Sequence, residues 1–486
     1  MGFFIPNLVS WEKSMRNRTL SSALLTAALL VLVGAASAQN MVQITKNGMF
    51  QNDQWPVLSE DGYYLAFVGE RNYTYEIFSA DTQSLKPTQL TSGAKVDAPW
   101  ALAINGDGTW VGFIGAKNIW LQSRMGGAPK QLTHFSGTLG AAAFGISMSD
   151  DAKRIAFTTY DSATKIYDFQ VVDTTTSSLV NISKSTTASD WCTGWISGDG
   201  KKVVFTAKAG NPGGQVWTAN VDGTGVKKIA SFSAGQVLFP QLDQRATIAG
   251  FESDASGEFE IYTVRTDGTG LTNVSKNAGG ADRRVWISAD GDRIAWKSRR
   301  NSNSDVYMAY PDGTGLRQLT SFGGVHPDNP NDSLTISGDG TLVVFCSRYN
   351  VNGGNPEADW ELYLWRDGIT RLGQVLPGAR FALVVEDPAT PGAAYLLRAA
   401  FGRSPGFLLP GVGTVPLNPD ALFWLSGAAP SIFQSFAGVL DTNGRAKADV
   451  VLPNSPSLKG FHFYASGVSV NGSAVKIFNP IRLEIE

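Results

Sequence analysis

The 486-residue chain is poor in the residues that most often carry catalysis and metal binding, with three histidines and two cysteines. His134, His326 and His462 stand far apart in sequence, and no two share the short spacing that brings a pair of imidazoles onto one metal. There is no H-E-x-x-H and no G-x-S-x-G, which removes the zincin helix and the hydrolase nucleophile elbow. Two cysteines, Cys192 and Cys346, cannot build a disulfide framework; they fall in predicted strands of different repeats and are expected as buried thiols. Charge of one sign is lacking too. Forty basic against 42 acidic residues give a net charge of −2, without the Lys/Arg run that a nucleic-acid or anionic-membrane surface needs. Neither a cofactor nor a metal ion is expected.

What the chain does have is turn formers, 53 glycines and 22 prolines, which punctuate short strands and break helices. An all-β protein is the expectation. At the N-terminus, Arg16 and Arg18 precede an apolar stretch from Ala23 to Val33 that ends in Ala36-Ser37-Ala38. This is the pattern of a cleavable signal peptide covering residues 1–38, with Met15 as an alternative start. The stretch is shorter than the roughly 20 residues that span a bilayer. No cysteine follows to anchor a lipid, and no later segment is long and apolar enough to cross a membrane. A periplasmic or secreted protein is therefore expected.

A turn motif recurs through most of the remaining sequence: Ser59-Glu60-Asp61-Gly62, Asn105-Gly106-Asp107-Gly108, Ser149-Asp150-Asp151-Ala152, Ser197-Gly198-Asp199-Gly200, Ser288-Ala289-Asp290-Gly291 and Ser337-Gly338-Asp339-Gly340. A degenerate copy, Leu242-Asp243-Gln244-Arg245, fills the one gap, and the intervals then run from 44 to 49 residues. Five residues after the motif stands an aromatic in six of the seven copies, Phe67, Phe113, Phe157, Phe205, Trp296 and Phe345; the fifth copy places Gly250 there. A polar-aliphatic-aromatic triplet follows, as in Glu76-Ile77-Phe78 and Asp305-Val306-Tyr307, with Tyr167-Asp168-Phe169 in copy three. Asp-Gly hairpin turns such as Asp222-Gly223 then lead to a closing strand of the type Thr88-Gln89-Leu90-Thr91. Four short strands per period of about 45 residues make one blade of a β-propeller. Val42-Gln43-Ile44-Thr45 repeats the closing pattern before any first strand, so it competes with Thr370-Arg371-Leu372 to complete the last blade.

In the order of these motifs the chain resembles the TolB-like, PD40 (WD40-like) propeller family and the propellers of prolyl-oligopeptidase-type enzymes. The resemblance covers residues 42–373, and the seven copies suggest seven blades, with six as the alternative. It implies no single activity, because the family includes protein-binding propellers, peptidase accessory domains and lyases. The segment before the first repeat is too short for the N-terminal domain of TolB itself, and the histidine cluster of the lyases has no counterpart.

Beyond Gly373 the repeat stops, and the last 113 residues hold eleven of the 22 prolines. Short strands at Ala394–Leu397, Ala421–Leu425, Val450–Leu452, Phe461–Tyr464 and Ile481–Ile485, with an Asn443-Gly444 hairpin, suggest a small β-sandwich over 377–486. Pro416–Asp420 and Asp441–Gly444 resemble the accessory tails of secreted planctomycete-type proteins.

The loops entering the innermost strands of a propeller converge on one channel mouth. Here they carry Asp53 and Trp55, Asp97 and Trp100, Asp190 and Trp191, Asp282 with Arg283 and Arg284, and Asp328 with Asp332. An acidic, aromatic rim would favour a basic peptide or a cation, and the arginines a carboxylate. The aspartates of the Asp-Gly motifs are read as turn formers, since no EF-hand pattern is present. The expected function is non-catalytic binding of an envelope or extracellular protein segment, or of a glycan, at this mouth. The alternative is a hydrolase or lyase acting on an extracellular polymer or peptide with channel carboxylates.

Overall fold

The repeat motifs become hydrogen-bonded parts of one sheet design. In the computed structural model, which describes residues 41–485 apart from 47–50, 94–95, 99, 186–191, 208–212, 277–278, 301–303, 322–332, 351–353, 373–374, 388, 403–405 and 410–411, each repeat is a four-stranded antiparallel sheet. The signal peptide expected over 1–38 lies outside the described residues. The first sheet comprises Asp53–Leu58, Tyr64–Arg71, Thr74–Asp81 and Thr88–Gln89, hydrogen-bonded in chain order, and five more of this kind follow from Leu102 to Gln318.

The Ser-x-Asp-Gly motif joins the first two strands. Ser59 Oγ donates to Asp61 Oδ1 (2.6 Å) and accepts from the Tyr64 amide (2.9 Å), while Gly62 takes the left-handed φ of +68° that closes the turn. In the fifth sheet an aspartate replaces the serine: Asp243 accepts from the amides of Thr247 and Ile248, and Ala246 takes the positive φ of +53°. The true turn is thus Asp243–Ala246, one residue later than the sequence pattern suggested. With that correction Phe251 occupies the aromatic position and the fifth copy ceases to be an exception.

Two further motifs explain each other. In five of the seven copies the polar residue opening the triplet is buried and accepts from the Thr or Ser of the closing strand, whose hydroxyl in turn receives the next backbone amide. Glu76 with Thr91, Asn118 with Thr133, and Asp305 with Thr320 are examples. In copy three Asp168, the second residue, accepts from Ser183, and in copy four Gln215 accepts from Trp217 Nε1. In five sheets the aromatics of the second and third strands stack, as in Phe67 on Phe78 (5.5 Å) and Phe345 on Tyr363 (5.8 Å), whereas Phe169 of the third sheet stacks on Phe205 of the fourth (6.0 Å).

This hydroxyl device decides how the last sheet is completed. Leu334–Ile336, Leu342–Ser347 and Glu361–Arg366 take Met41–Gln43 as their fourth strand, and Thr45 Oγ1 donates to Glu361 and receives the Leu362 amide at 2.9 Å. Ile369–Leu372, the competing segment, pairs instead with Arg380–Glu386.

The seven sheets stand in a circle. Each of seven apolar clusters is shared by two neighbouring sheets, and the cluster of Ile44, Leu58 and Phe67 with Val344 and Leu362 joins the last sheet to the first. The turns between first and second strands form a closed ring of backbone hydrogen bonds of 2.8–3.2 Å. It runs from Glu60 to Gly106, Asp150, Gly198, then from Asp199 to Gln244, Ala289, and from Asp290 to Gly338 and back to Glu60.

In the C-terminal region two sheets pack around one core, beside a two-stranded sheet of Phe407–Leu409 and Gly413–Val415. One holds Ile369–Leu372, Arg380–Glu386, Arg445–Val451 and Phe433–Gln434, and the other Ala437–Val439, Ala394–Ala400, His462–Asn471, Ala474–Ile477 and Ile481–Glu484. Phe381, Leu383 and Val385 meet Tyr395, Leu397, Phe463 and Leu483 between them. Ala421–Leu425, read as a strand from its apolar run, lies in a helix over Ala421–Ala428, because the Asp420 carboxylate accepts from the Leu422 and Phe423 amides and caps it. Asp441–Gly444 turns as expected but does not make a hairpin, since the strands it joins belong to different sheets. Asn479 reaches Asp367 (2.8 Å), and the Arg293 guanidinium reaches the Pro480 carbonyl (3.1 Å), fixing this region against the turn side of the ring.

Candidate functional site

Along the axis of the ring three spaces are stacked. At the loop end opens a funnel of about 350 Å³, in the middle a waist of about 100 Å³, and at the turn end, under the C-terminal region, a basin of about 420 Å³.

The funnel is shaped by a repeated defect. Four residues before the turn motif, the innermost strands of the first, fifth and sixth sheets each carry a β-bulge, between Gln54 and Val57, Leu238 and Gln241, and Arg283 and Trp286. In each bulge a non-glycine residue holds a left-handed φ: Trp55 at +52°, Phe239 at +49° and Arg284 at +59°. All three line the funnel. A bulge breaks the strict alternation of side chains along a strand and re-aims one of them. Two residues closer to the turn, Trp195 and Trp286 meet edge to face at 5.1 Å on the axis, and Trp100 packs edge-on to Trp55 at 5.8 Å while remaining about half exposed. The Arg284 guanidinium lies 4.8 Å from the centre of the Phe239 ring.

The same bulges relocate the acidic residues expected at the rim. Asp53 is buried between strands in an ion pair with Arg71 (2.9 Å), and Asp282 likewise with Arg300 (3.2 Å). Asp97 receives the Lys117 amide (2.7 Å) in a turn outside the funnel wall. Arg283 turns away from the axis, where its Nε meets the fully buried Glu252 (2.8 Å) and its guanidinium covers Phe259. Burial raises the Glu252 carboxyl above its usual value, with Arg283 and Arg284 opposing the rise. Asp190, Trp191, Asp328 and Asp332 lie outside the described residues. Of the expected rim residues the structure therefore gathers Trp55, Trp100 and Arg284, and it adds Trp195, Phe239 and Trp286. The overlooked signal was position: Phe239 and Arg284 share Trp55's distance from the turn, and Trp195 and Trp286 share one two residues nearer.

No family model matches the chain, and no curated protein matches it. Among solved structures it is similar to an oligogalacturonate lyase in complex with manganese, at 14% identity and TM-score 0.55 over 68% of this chain and 94% of that one. A second oligogalacturonate lyase, from Vibrio parahaemolyticus, aligns at 13% identity and TM-score 0.52 over 69% and 95%. TolB from Acinetobacter baumannii aligns at 18% identity and TM-score 0.41 over 58% and 66%. The fold is a β-propeller. Likeness at such identities concerns the fold alone.

Below the funnel the propeller is plugged. The second residue of each turn motif points at the axis, and large residues alternate there with small ones: Glu60, Gly106, Asp150, Gly198, Gln244, Ala289 and Gly338. Gln244 Nε2 donates to both Glu60 and Asp150 at 3.1 Å, and burial raises the Asp150 carboxyl above its usual value. A Cβ on Gly198 would sit 2.3 Å from Asp150 Oδ2, so the glycines make room for the plug. Among the described residues no group of three or more His, Cys, Asp or Glu side chains is gathered as a metal site. His134 is exposed, His462 lies in the basin, and His326 falls outside the described residues.

Proposed function

We propose that the chain is a non-catalytic, seven-bladed propeller with a small C-terminal β-sandwich, exported to the periplasm or beyond. Its funnel binds a carboxylate-bearing segment of an envelope or extracellular protein or surface polymer. One observation carries this reading: three equivalent bulges hold Trp55, Phe239 and Arg284 in left-handed conformations that cost on the order of 1 kcal/mol each. Strain repeated at one position in three sheets, and always aimed into the same funnel, fits a recognition surface better than a packing accident. Four tryptophans and Phe239 offer flat apolar faces, and Arg284 supplies the charge. With Asp53 and Asp282 paired behind the rim, an anionic ligand suits this mouth better than the basic one an acidic rim implies. The plug at the waist makes the funnel a dead end, suited to a chain terminus or a projecting group.

Among the described residues the funnel wall carries no carboxylate, histidine or lysine, which favours binding over proton transfer there. The test is capture from envelope extract and acidic polysaccharides on the immobilised full chain, beside Arg284→Ala and Trp286→Ala. Retention that both variants lose is expected. Equal retention by all three proteins, or turnover of any polymer, would overturn the reading.

A further inference from the structure

The basin at the turn end is separated from the funnel by the waist and has walls from two parts of the chain. Turns of the propeller contribute Glu60, Asp243, Asp290, Asp292 and Asp339. Facing them, Arg371 and Arg482 come from the C-terminal sheets, with Arg245 and Arg265 from the fifth blade. Five carboxylates against four guanidiniums nearly balance, so an ion of either sign alone gains little from the site as a whole.

Asp290 and Arg371 each leave a polar atom over here. Asp290 Oδ1 accepts from Ser288 Oγ (2.5 Å) and the Asp292 amide (2.9 Å), as the equivalent aspartates do in the other turns, but its Oδ2 is buried with no hydrogen-bond partner. Arg371 Nε is buried without an acceptor as well. Leaving such atoms unpaired is costly in a folded protein, and each is best answered by a partner of the opposite kind. At Asp107, Asp151 and Asp199 burial also pushes the carboxyl up, but the hydrogen bonds within the turn together outweigh it and hold it below its usual value. Asp290 departs from them: covered by the C-terminal region and facing Asp292, it is pushed up to about 6. His462 shares the basin, and burial, followed by the charge of Arg482, lowers its pKa, which keeps the ring neutral near pH 7.

We propose that this basin is a second binding site, taking a small zwitterion of the α-amino-acid class with its ammonium on Asp290 and its carboxylate on Arg371. The ligand supplies the donor that Asp290 Oδ2 lacks and the acceptor that Arg371 Nε lacks. The basin volume of about 420 Å³ is many times one water's share of about 30 Å³, and it lies within the range of small-molecule pockets.

Calorimetric titration of the full chain with glycine, L-leucine, L-glutamate and L-arginine tests this, with acetate and methylammonium as half-ligands. At least one amino acid should bind at one site per chain and be weakened about tenfold or more by Asp290→Asn and by Arg371→Gln, while the half-ligands fail. Arg284→Ala, in the funnel, should leave that binding unchanged. Near-UV circular dichroism establishes that each variant is folded; should one not fold, the other decides. The proposal falls if no amino acid binds, if acetate or methylammonium binds as well, if the basin variants bind like the wild type, or if Arg284→Ala abolishes binding.

Discussion

Replacing Asp290 by asparagine should stabilise the protein at neutral pH and do almost nothing at pH 4. The carboxyl is pushed up to about 6 in the folded state, chiefly by burial, against a usual value of 3.8. Between those values the folded protein holds a proton that the unfolded chain has released. This group's contribution is therefore fully present below pH 4 and is lost as pH rises through 6. A rise of about two units corresponds to at most about 3 kcal/mol. Asparagine keeps the acceptor that Ser288 Oγ and the Asp292 amide use, without the charge. The expected gain is about 1–3 kcal/mol at pH 7.5 and under about 0.5 kcal/mol at pH 4. Urea midpoints of the two proteins at pH 4, 5, 6 and 7.5 measure it, and taking the difference cancels the turn carboxylates other than Asp292, which faces Asp290 and titrates with it. A constant difference across the series, or a loss of stability at pH 7.5, would refute the reasoning.

Gly198→Ala should destabilise the propeller by about 1–3 kcal/mol, because the new methyl meets Asp150 Oδ2 at 2.3 Å and Gln244 Cγ at 2.7 Å. Gly279→Ala, whose Cβ would meet nothing within 4 Å, should stay within about 0.5 kcal/mol of the wild type; thermal denaturation compares the two. Thr45→Val leaves buried Glu361 and the Leu362 amide without their hydroxyl partner. It should cost about 1–3 kcal/mol and open the ring at its closure, read as faster hydrogen exchange across Met41–Gln43 and Glu361–Arg366. Cys192 is buried and its thiol is pushed well up, so Ellman's reagent should leave it unmodified in the native protein and label it in urea.

The repeat could be read in the sequence because each motif residue does the same work in most of the blades. The Ser–Asp turn, the stacked aromatic pair and the buried acid capped by Thr or Ser recur at constant spacing, and Thr45 even announced the closing strand. Where the reading slipped, a substitution preserved the chemistry under another letter, as when Asp243 took the serine's part and shifted the fifth copy by one residue. The Ala421–Ala428 helix was hidden because an apolar run of this length suits either state, and the cap at Asp420 decided it. The mouth was harder. Asp53 and Trp55 look like neighbours on one strand face, but the bulge between them turns the tryptophan to the axis and leaves the aspartate with Arg71. Pairing with an arginine from another strand leaves no trace in local sequence. The plug was legible in principle, since Glu60, Asp150 and Gln244 alternate with small residues at the second motif position.

The central claim is that the aromatic funnel, with Arg284 on its wall, is the binding surface. Its most direct test is the dissociation constant of the full chain for the envelope or polysaccharide ligand it retains, measured beside Arg284→Ala, Trp286→Ala and Asp290→Asn. The account predicts about tenfold or greater weakening in each funnel variant and no change in the basin variant. Wild-type affinity in both funnel variants would contradict it.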